Sequence, residues 1–522
     1  MIARVYVRLL SMVVASMPCA TLAQDTVDVL IQNGTLVDGT GSPGRSADVA
    51  IRGDRIVFAG SPGARRFVAK RTIDARGLTV APGFIDPHTH TYGDLGSPDR
   101  ARRQNAAYLM QGVTTVVTGN DGGGPVDVGA ELTRLEGLQI GTNAALFVGF
   151  GSIRSRVLGP SSAAPDSAQL ASMRQFVATS MDGGALGFST GLYYAPQSYA
   201  KTDEVIALAR EAASRGGIYD SHLRDESSYT IGLIGAIAEA IQIGREARMP
   251  VHIAHIKALG VDVWGRSDSA VALIRATRAA GQRVTADQYP YTASGTSLGA
   301  SLLPRWAEAG GRDSLRLRAG DPQTRERLLA DMRENLRRRN GPAALLITGG
   351  PAEIRGKTLE AIAKTQGAEP VVAALSVILS GGASVASFNM DERDIRTFMQ
   401  EDWVFTGSDG SGGHPRKYGA FARKLREYVR EKKVLTLEAM VRQSTSATAS
   451  ALGIVNRGVV KEGAFADVIV FDPARVRDRA TYEEPELLAE GMQWVLVNGQ
   501  IALEGGTLTD RLAGRGIRRG TP

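Results

Sequence analysis

The chain has a single cysteine, Cys19, among 522 residues. That excludes a disulfide framework and a cysteine-rich zinc site. Lysine is scarce as well, at ten of the 61 cationic residues. Basic residues form no long block apart from Arg511, Arg515, Arg518 and Arg519; elsewhere they are interspersed with the 54 acids. A net charge of +7 spread in this way describes a solvated surface and argues against a nucleic-acid partner. After the N-terminal segment, no run reaches the roughly 18 apolar residues of a membrane span. Histidine is limited to six, so each one is informative.

Glycine is abundant, at 61 residues, as in chains with many short strand-to-helix turns. Hydrophobic residues make up 43% and charged residues 22%, which sets aside disorder, collagen and coiled coil. The length suits one large domain with a smaller one. At the N-terminus, Arg4 and Arg8 precede a short apolar run, Leu9 to Met17, and small residues surround Ala23. This pattern predicts an export signal over residues 1–23, cleaved after Ala23. The mature protein is then periplasmic or secreted, with neither membrane anchor nor cysteine.

Residues 24–81 read as short strands, with a hairpin signal at Asn33-Gly34 and no helical pattern. From Pro82-Gly83 onward, eight apolar strands alternate with helical stretches such as Thr202 to Arg215 and Ile231 to Ala247. The strands are Phe84–Asp86, Thr114–Val117, Ala145–Val148, Ala185–Phe188, Ile218–His222, Val251–His255, Val284–Asp287 and Val404–Asp409. This alternation predicts an α/β fold, a (β/α)8 TIM-like barrel over residues 82–451. The interval 304–370 lacks a barrel strand and is expected to be an insertion. Residues 452–522 return to short strands. Together with 24–81 they are expected to form one small β-sandwich around the inserted barrel.

Five of the six histidines lie at or just after a strand end, the barrel face where catalytic groups collect. His88 and His90, two apart on one strand, share a face and can chelate one ion. His222 and His255 end later strands. His252, three residues before His255, is expected to point away from it as a packing residue. Asp409 ends the last strand, in FTGSDG. A carboxylate there can ligate a metal and act as general base toward its water.

With these residues the chain resembles the N-acyl-D-amino-acid deacylase family of the amidohydrolase superfamily. The resemblance spans almost the whole mature chain. It rests on APGFIDPHTHTYGD, GVTTVVTGNDG, GALGFSTGLYYAP, DSHLRDES, IAHIKALG, ADQYPYTASGTSL, FTGSDG followed by HPRKYG, and GVVKEGAFADVIVFDP. It implies one or two zinc ions, a barrel with a small β-sandwich, and hydrolysis of a small N-acyl amino acid. By motif it implies the ligands His88, His90, His222 and His255, with Asp409 as catalytic acid and base. It also implies a substrate-carboxylate site from Lys257, Tyr194, Tyr289 and Ser294, with Arg224 and Arg416 as additional candidates. Where the family has a metal-binding cysteine, this chain has Asp121, which is read as its replacement. A peptidase or cyclic-amide hydrolase on the same barrel, and a non-catalytic exported binding protein, are the alternatives.

Overall fold

The computed structural model describes residues 1–2 and 25–521. The expected export signal therefore lies outside the described residues, apart from Met1 and Ile2. Eight parallel strands build the barrel: β1 (Phe84–Thr89), β2 (Val113–Thr118), β3 (Asn143–Leu146), β4 (Gly187–Gly191), β5 (Ile218–His222), β6 (Val251–Ile253), β7 (Val284–Gln288) and β8 (Val404–Thr406). Pairing runs from β1 to β3 and from β4 to β8. Between β8 and β1 the ring closes through Asp409 N–H to His88 C=O (2.9 Å) and His90 N–H to Gly410 C=O (3.0 Å). Between β3 and β4 the contact continues through Val148–Gly149, which pairs with β4 beyond Phe147. Every residue of β1, β2 and β5 is buried. Helices cover the outer face and side chains fill the inner one, so these strands read as runs rather than as an alternation.

Strands from both chain ends share one nine-stranded sheet. Val468–Phe471 pairs antiparallel with Thr79–Pro82, which joins the two halves. A buried polar knot ties this sheet to the barrel. Asp467 pairs with Arg457 and accepts from Asn143 Nδ2 (3.2 Å), while Asn498 Nδ2 donates to Asn143 Oδ1 (2.8 Å). A hydrogen bond to a charged group contributes about 1.5–3 kcal/mol, so the contact of Asn143 with Asp467 resists opening of the joint.

Two boundaries differ from the sequence expectation. The inserted unit runs from Ala293 to Phe388, wider than 304–370. It has its own antiparallel sheet, with Ser384–Phe388 between Ala293–Ser297 and Leu345–Gly349. Its helices pack on a separate apolar cluster that includes Leu328, Met332, Leu345 and Leu375. The flanking strand ASGTS and the central strand SVASF are short and rich in small polar residues, so they carry almost no periodic signal. The tail also departs from 452–522 as a single sandwich element: Gly516–Ile517 pairs in parallel with β3 of the barrel. Two of the four arginines at its end are neutralised there, Arg515 by Asp54 (2.6 Å) and Arg518 by Glu136 (2.7 Å). Among the described residues no single helix is long and apolar enough to cross a membrane.

Candidate functional site

The ends of β1, β5 and β8, and the turns after β2 and β6, deliver one cluster. Its atoms fall into two overlapping sets, His88, His90, Asp121 and Asp409, and Asp121, His222 and His255. Asp121 belongs to both. Its Oδ1 lies 3.5 Å from His88 Nε2, 3.5 Å from His255 Nε2 and 3.8 Å from His222 Nδ1, and its Oδ2 lies 3.4 Å from His90 Nε2. Asp409 Oδ1 lies 3.0 Å from His90 Nε2 and 3.7 Å from His88 Nε2.

Local backbone makes this convergence possible. Asp121, His255 and Asp409 all have left-handed φ, +57°, +33° and +47°. Such conformations cost about 1–3 kcal/mol each and persist where surrounding structure over-determines them. Two glycines create the necessary room. A Cβ on Gly124 would lie 2.0 Å from Phe147 O, so only glycine lets the Asp121 turn seat on the barrel rim. A Cβ on Gly407 would lie 2.3 Å from Asp287 Oδ1.

The donor set fits metal. His222 Nδ1 and His255 Nε2 face one another at 2.8 Å. His88 Nε2 and Asp121 Oδ1 are buried without hydrogen-bond partners. Buried polar atoms are normally satisfied, and convergent nitrogen and oxygen atoms left unsatisfied are what a cation completes. The unpartnered Asp121 Oδ1 also means that this oxygen does not cap the Gly-rich turn that follows it.

Two carboxylates that sequence reasoning missed lie beside the imidazoles, and Glu226 holds that of His255. Glu226 Oε1 lies 3.1 Å from His255 Nδ1, and its Oε2 lies 3.7 Å from His222 Nε2. Asp287 Oδ2 lies 3.8 Å from His88 Nδ1 and 3.0 Å from His252 Nε2. Contacts to the far ring nitrogen orient a ligand and raise its basicity. Burial alone would raise Glu226, but Lys257 and the two histidines hold it well below the usual carboxylate range. Burial and Lys257 push His255 down, yet Asp121, Glu226 and Asp409 lift it to about 9. Burial opposes ionisation of Asp409 too; Arg416, His255, His90 and His88 overcome it and keep the group ionised. Burial depresses His222.

A cavity of about 530 Å³ opens over the cluster. Lys257, Tyr194, Tyr289, Ser294 and Arg416 line it, so the structure brings these expected substrate residues together. Lys257 Nζ donates to Glu226 Oε1 (2.5 Å), Arg416 Nη1 pairs with Asp409 Oδ2 (2.8 Å), and Ser294 Oγ donates to Asn389 Oδ1 (3.1 Å). The guanidinium of Arg416 lies 4.6 Å from the centre of the Tyr289 ring. Arg224 is a correction. It lies outside this cavity, where its Nε donates to Glu239 Oε2 (2.8 Å) on the helix Gly232–Ala247. The chain leaves the barrel wall at His222, so spacing from that histidine no longer sets the direction of Arg224. His252 is buried and stacks on Phe405 at 5.8 Å while holding Asp287. Strand alternation relative to His255 does not apply, because β6 ends at Ile253. His414, the sixth histidine, accepts from Arg416 N–H at Nδ1 (3.1 Å).

Comparison with known proteins agrees with this geometry. The sequence matches the amidohydrolase family over residues 71–503. It is 34% identical to D-aminoacylase of Alcaligenes xylosoxydans xylosoxydans, over 94% of this chain and 98% of that one. It is also 34% identical to N-acyl-D-glutamate deacylase of the same organism, over 91% and 93%. A solved N-acyl-D-glutamate deacylase from Bordetella bronchiseptica, complexed with zinc and a phosphonate mimic of the tetrahedral intermediate, superposes with a TM-score of 0.80. It is 32% identical and covers 95% of this chain and 100% of its own. A solved D-aminoacylase with a binuclear metal centre superposes with a TM-score of 0.81 at 33% identity, covering 94% and 100%.

Proposed function

Because the chain belongs to the amidohydrolase family, we propose that it hydrolyses the amide bond of N-acyl-D-amino acids, releasing a carboxylic acid and a D-amino acid. The observation that carries this reading is the position of the cation-and-hydroxyl wall. Lys257, Tyr289 and Arg416 line the same cavity as the metal cluster, so a substrate carboxylate held there leaves the acyl group within reach of it. Cationic and hydroxyl donors are the partners a carboxylate requires.

His88, His90, Asp121 and Asp409 would hold one zinc ion, and Asp121, His222 and His255 a second. Zinc supplies Lewis acidity to the acyl carbonyl and to the attacking water. The remaining work belongs to the chain. Asp409, kept ionised by Arg416, accepts the proton of the attacking water and delivers it to the leaving amine nitrogen. Glu226 holds His255 in place during the transfer.

The zinc-loaded protein tests this on matched N-acetyl-D- and N-acetyl-L-amino acids, with amine release as the readout. Turnover of the D series alone is expected. Lys257→Ala should slow free carboxylates at least tenfold more than their amides. Turnover of cyclic amides or dipeptides with none of the D series would overturn the reading.

Export belongs to the same proposal. Arg4 and Arg8 ahead of the apolar run, with small residues at Ala23, support removal of residues 1–23. N-terminal sequencing of secreted material is expected to begin at Gln24, and a start at Met1 would contradict export by this signal.

A further inference from the structure

Arg339 is a buried cation that the proposed reaction does not use. It follows the helix Pro322–Arg338 of the inserted unit, which brings it to the wall of the cavity over the metal cluster. It is 2% exposed. Its Nε donates to Ser301 O (3.0 Å) and its Nη2 to Tyr193 Oη (3.3 Å). Its Nη1 has no hydrogen-bond partner.

Four arginines are buried among the described residues. Arg154 pairs with Glu204, Arg416 with Asp409, and Arg457 with Asp467. Two other arginines of the inserted unit are also matched, Arg338 with Glu334 and Arg305 with Glu308. Arg339 alone among the four forms no pair with an acid. Tyr229 lies beside it, with the guanidinium 5.9 Å from the ring centre, and the Tyr229 hydroxyl is likewise buried and unpartnered. Both residues line the cavity.

A guanidinium cannot shed its proton in a protein, so its charge stays when it is buried. An uncompensated buried charge is costly, and a ligand that brings the missing counter-ion removes that cost. The unpartnered Nη1 and the Tyr229 hydroxyl provide two donors for one carboxylate. We infer that Arg339 and Tyr229 form a second anion subsite, which binds a carboxylate carried by the substrate in addition to its α-carboxylate.

The placement gives the substrate two anchoring points. Tyr193 packs on His222 on one side, with ring centres 5.8 Å apart, and on Tyr229 on the other, at 5.5 Å. Arg339 is therefore reached from the metal cluster along the Tyr193 ring. Lys257 and Arg416 are grouped instead around the ring of Tyr289, at 5.8 and 4.6 Å. The second carboxylate comes either from the side chain of the amino-acid half or from the acyl half, and the chemistry at Arg339 is the same for both. This inference rests on the N-acyl-D-amino-acid reading above.

Two substrate pairs separate the sources: N-acetyl-D-glutamate against N-acetyl-D-glutamine, and N-succinyl-D-alanine against its terminal amide. In one pair, kcat/KM is expected to favour the carboxylate at least tenfold. Arg339→Gln should bring that ratio close to one, and Tyr229→Phe should lower it severalfold. Thermal unfolding of each variant checks that it is folded. A calorimetric titration of glutarate against its monoamide gives a readout independent of turnover. Glutarate is expected to bind at least tenfold more tightly, with the difference lost in Arg339→Gln. If neutral N-acyl-D-amino acids turn over but neither pair prefers the carboxylate, the subsite is overturned and the deacylase reading stands. If no N-acyl-D-amino acid turns over, the deacylase reading falls, and the titration alone decides whether Arg339 binds a carboxylate.

Discussion

Asp409→Asn is expected to lower kcat by about 10²–10⁴-fold, the range that a positioned acid–base group contributes. The substitution keeps size and removes the charge that accepts the proton. It also leaves the Arg416 guanidinium without its carboxylate in a buried place. Stranding one partner of a buried pair costs about 3–5 kcal/mol, so a lower melting temperature should accompany the lost activity. Assays well below that temperature separate the two effects. At least one equivalent of metal should remain, because Asp121, His222 and His255 are untouched. A kcat within threefold of the parent enzyme would remove Asp409 from proton transfer.

The second large effect is expected at Asp121. It is the one residue shared by both ligand sets, so Asp121→Ala takes an oxygen from each. Metal content after dialysis against a weak chelator should fall below one equivalent, and activity should fall by about two orders of magnitude with it. Asp121→Cys should restore zinc binding, since thiolate is a softer donor that zinc accepts readily. The parent site, built only of nitrogen and oxygen, should also accept Mn²⁺ or Co²⁺ where the cysteine variant discriminates against Mn²⁺. Full metal occupancy in Asp121→Ala would show that the carboxylate is no ligand.

The elements that carry these predictions differ in how visible they were before the structure. His88, His90, His222 and Asp409 stood out because histidine is rare here and strand ends are recognisable. Glu226 and Asp287 did not. Carboxylates are common, and the role of these two is to meet the far nitrogen of an imidazole, which depends on which strands become neighbours. Arg339 is hidden for another reason: it is the third of three consecutive arginines at the end of an exposed-looking helix, and only burial distinguishes it from Arg337 and Arg338. Arg224 shows the reverse error. The resemblance made it an additional candidate for the substrate carboxylate, but a partner on a neighbouring helix, Glu239, draws it away. The barrel was legible from its β-α rhythm, whereas the sheet of the inserted unit was not, because its strands are too short and too polar to show a period.

The pairing of Gly516–Ile517 with β3 has a bearing on the order in which the chain can fold. Arg515 N–H reaches Asn143 Oδ1 across 372 positions of sequence, and the sheet joining both ends needs Val468–Phe471 to meet Thr79–Pro82. Neither closure can occur on a nascent chain until almost all of it has been synthesised. Contacts of such long separation are slow to form, and until they do, β3 and the strand Thr79–Pro82, internal in the finished sheet, present unpaired backbone. A polypeptide whose last native contacts wait for its final residues stays open through synthesis. That delay is compatible with the export proposed above, in which the chain crosses a membrane before it folds.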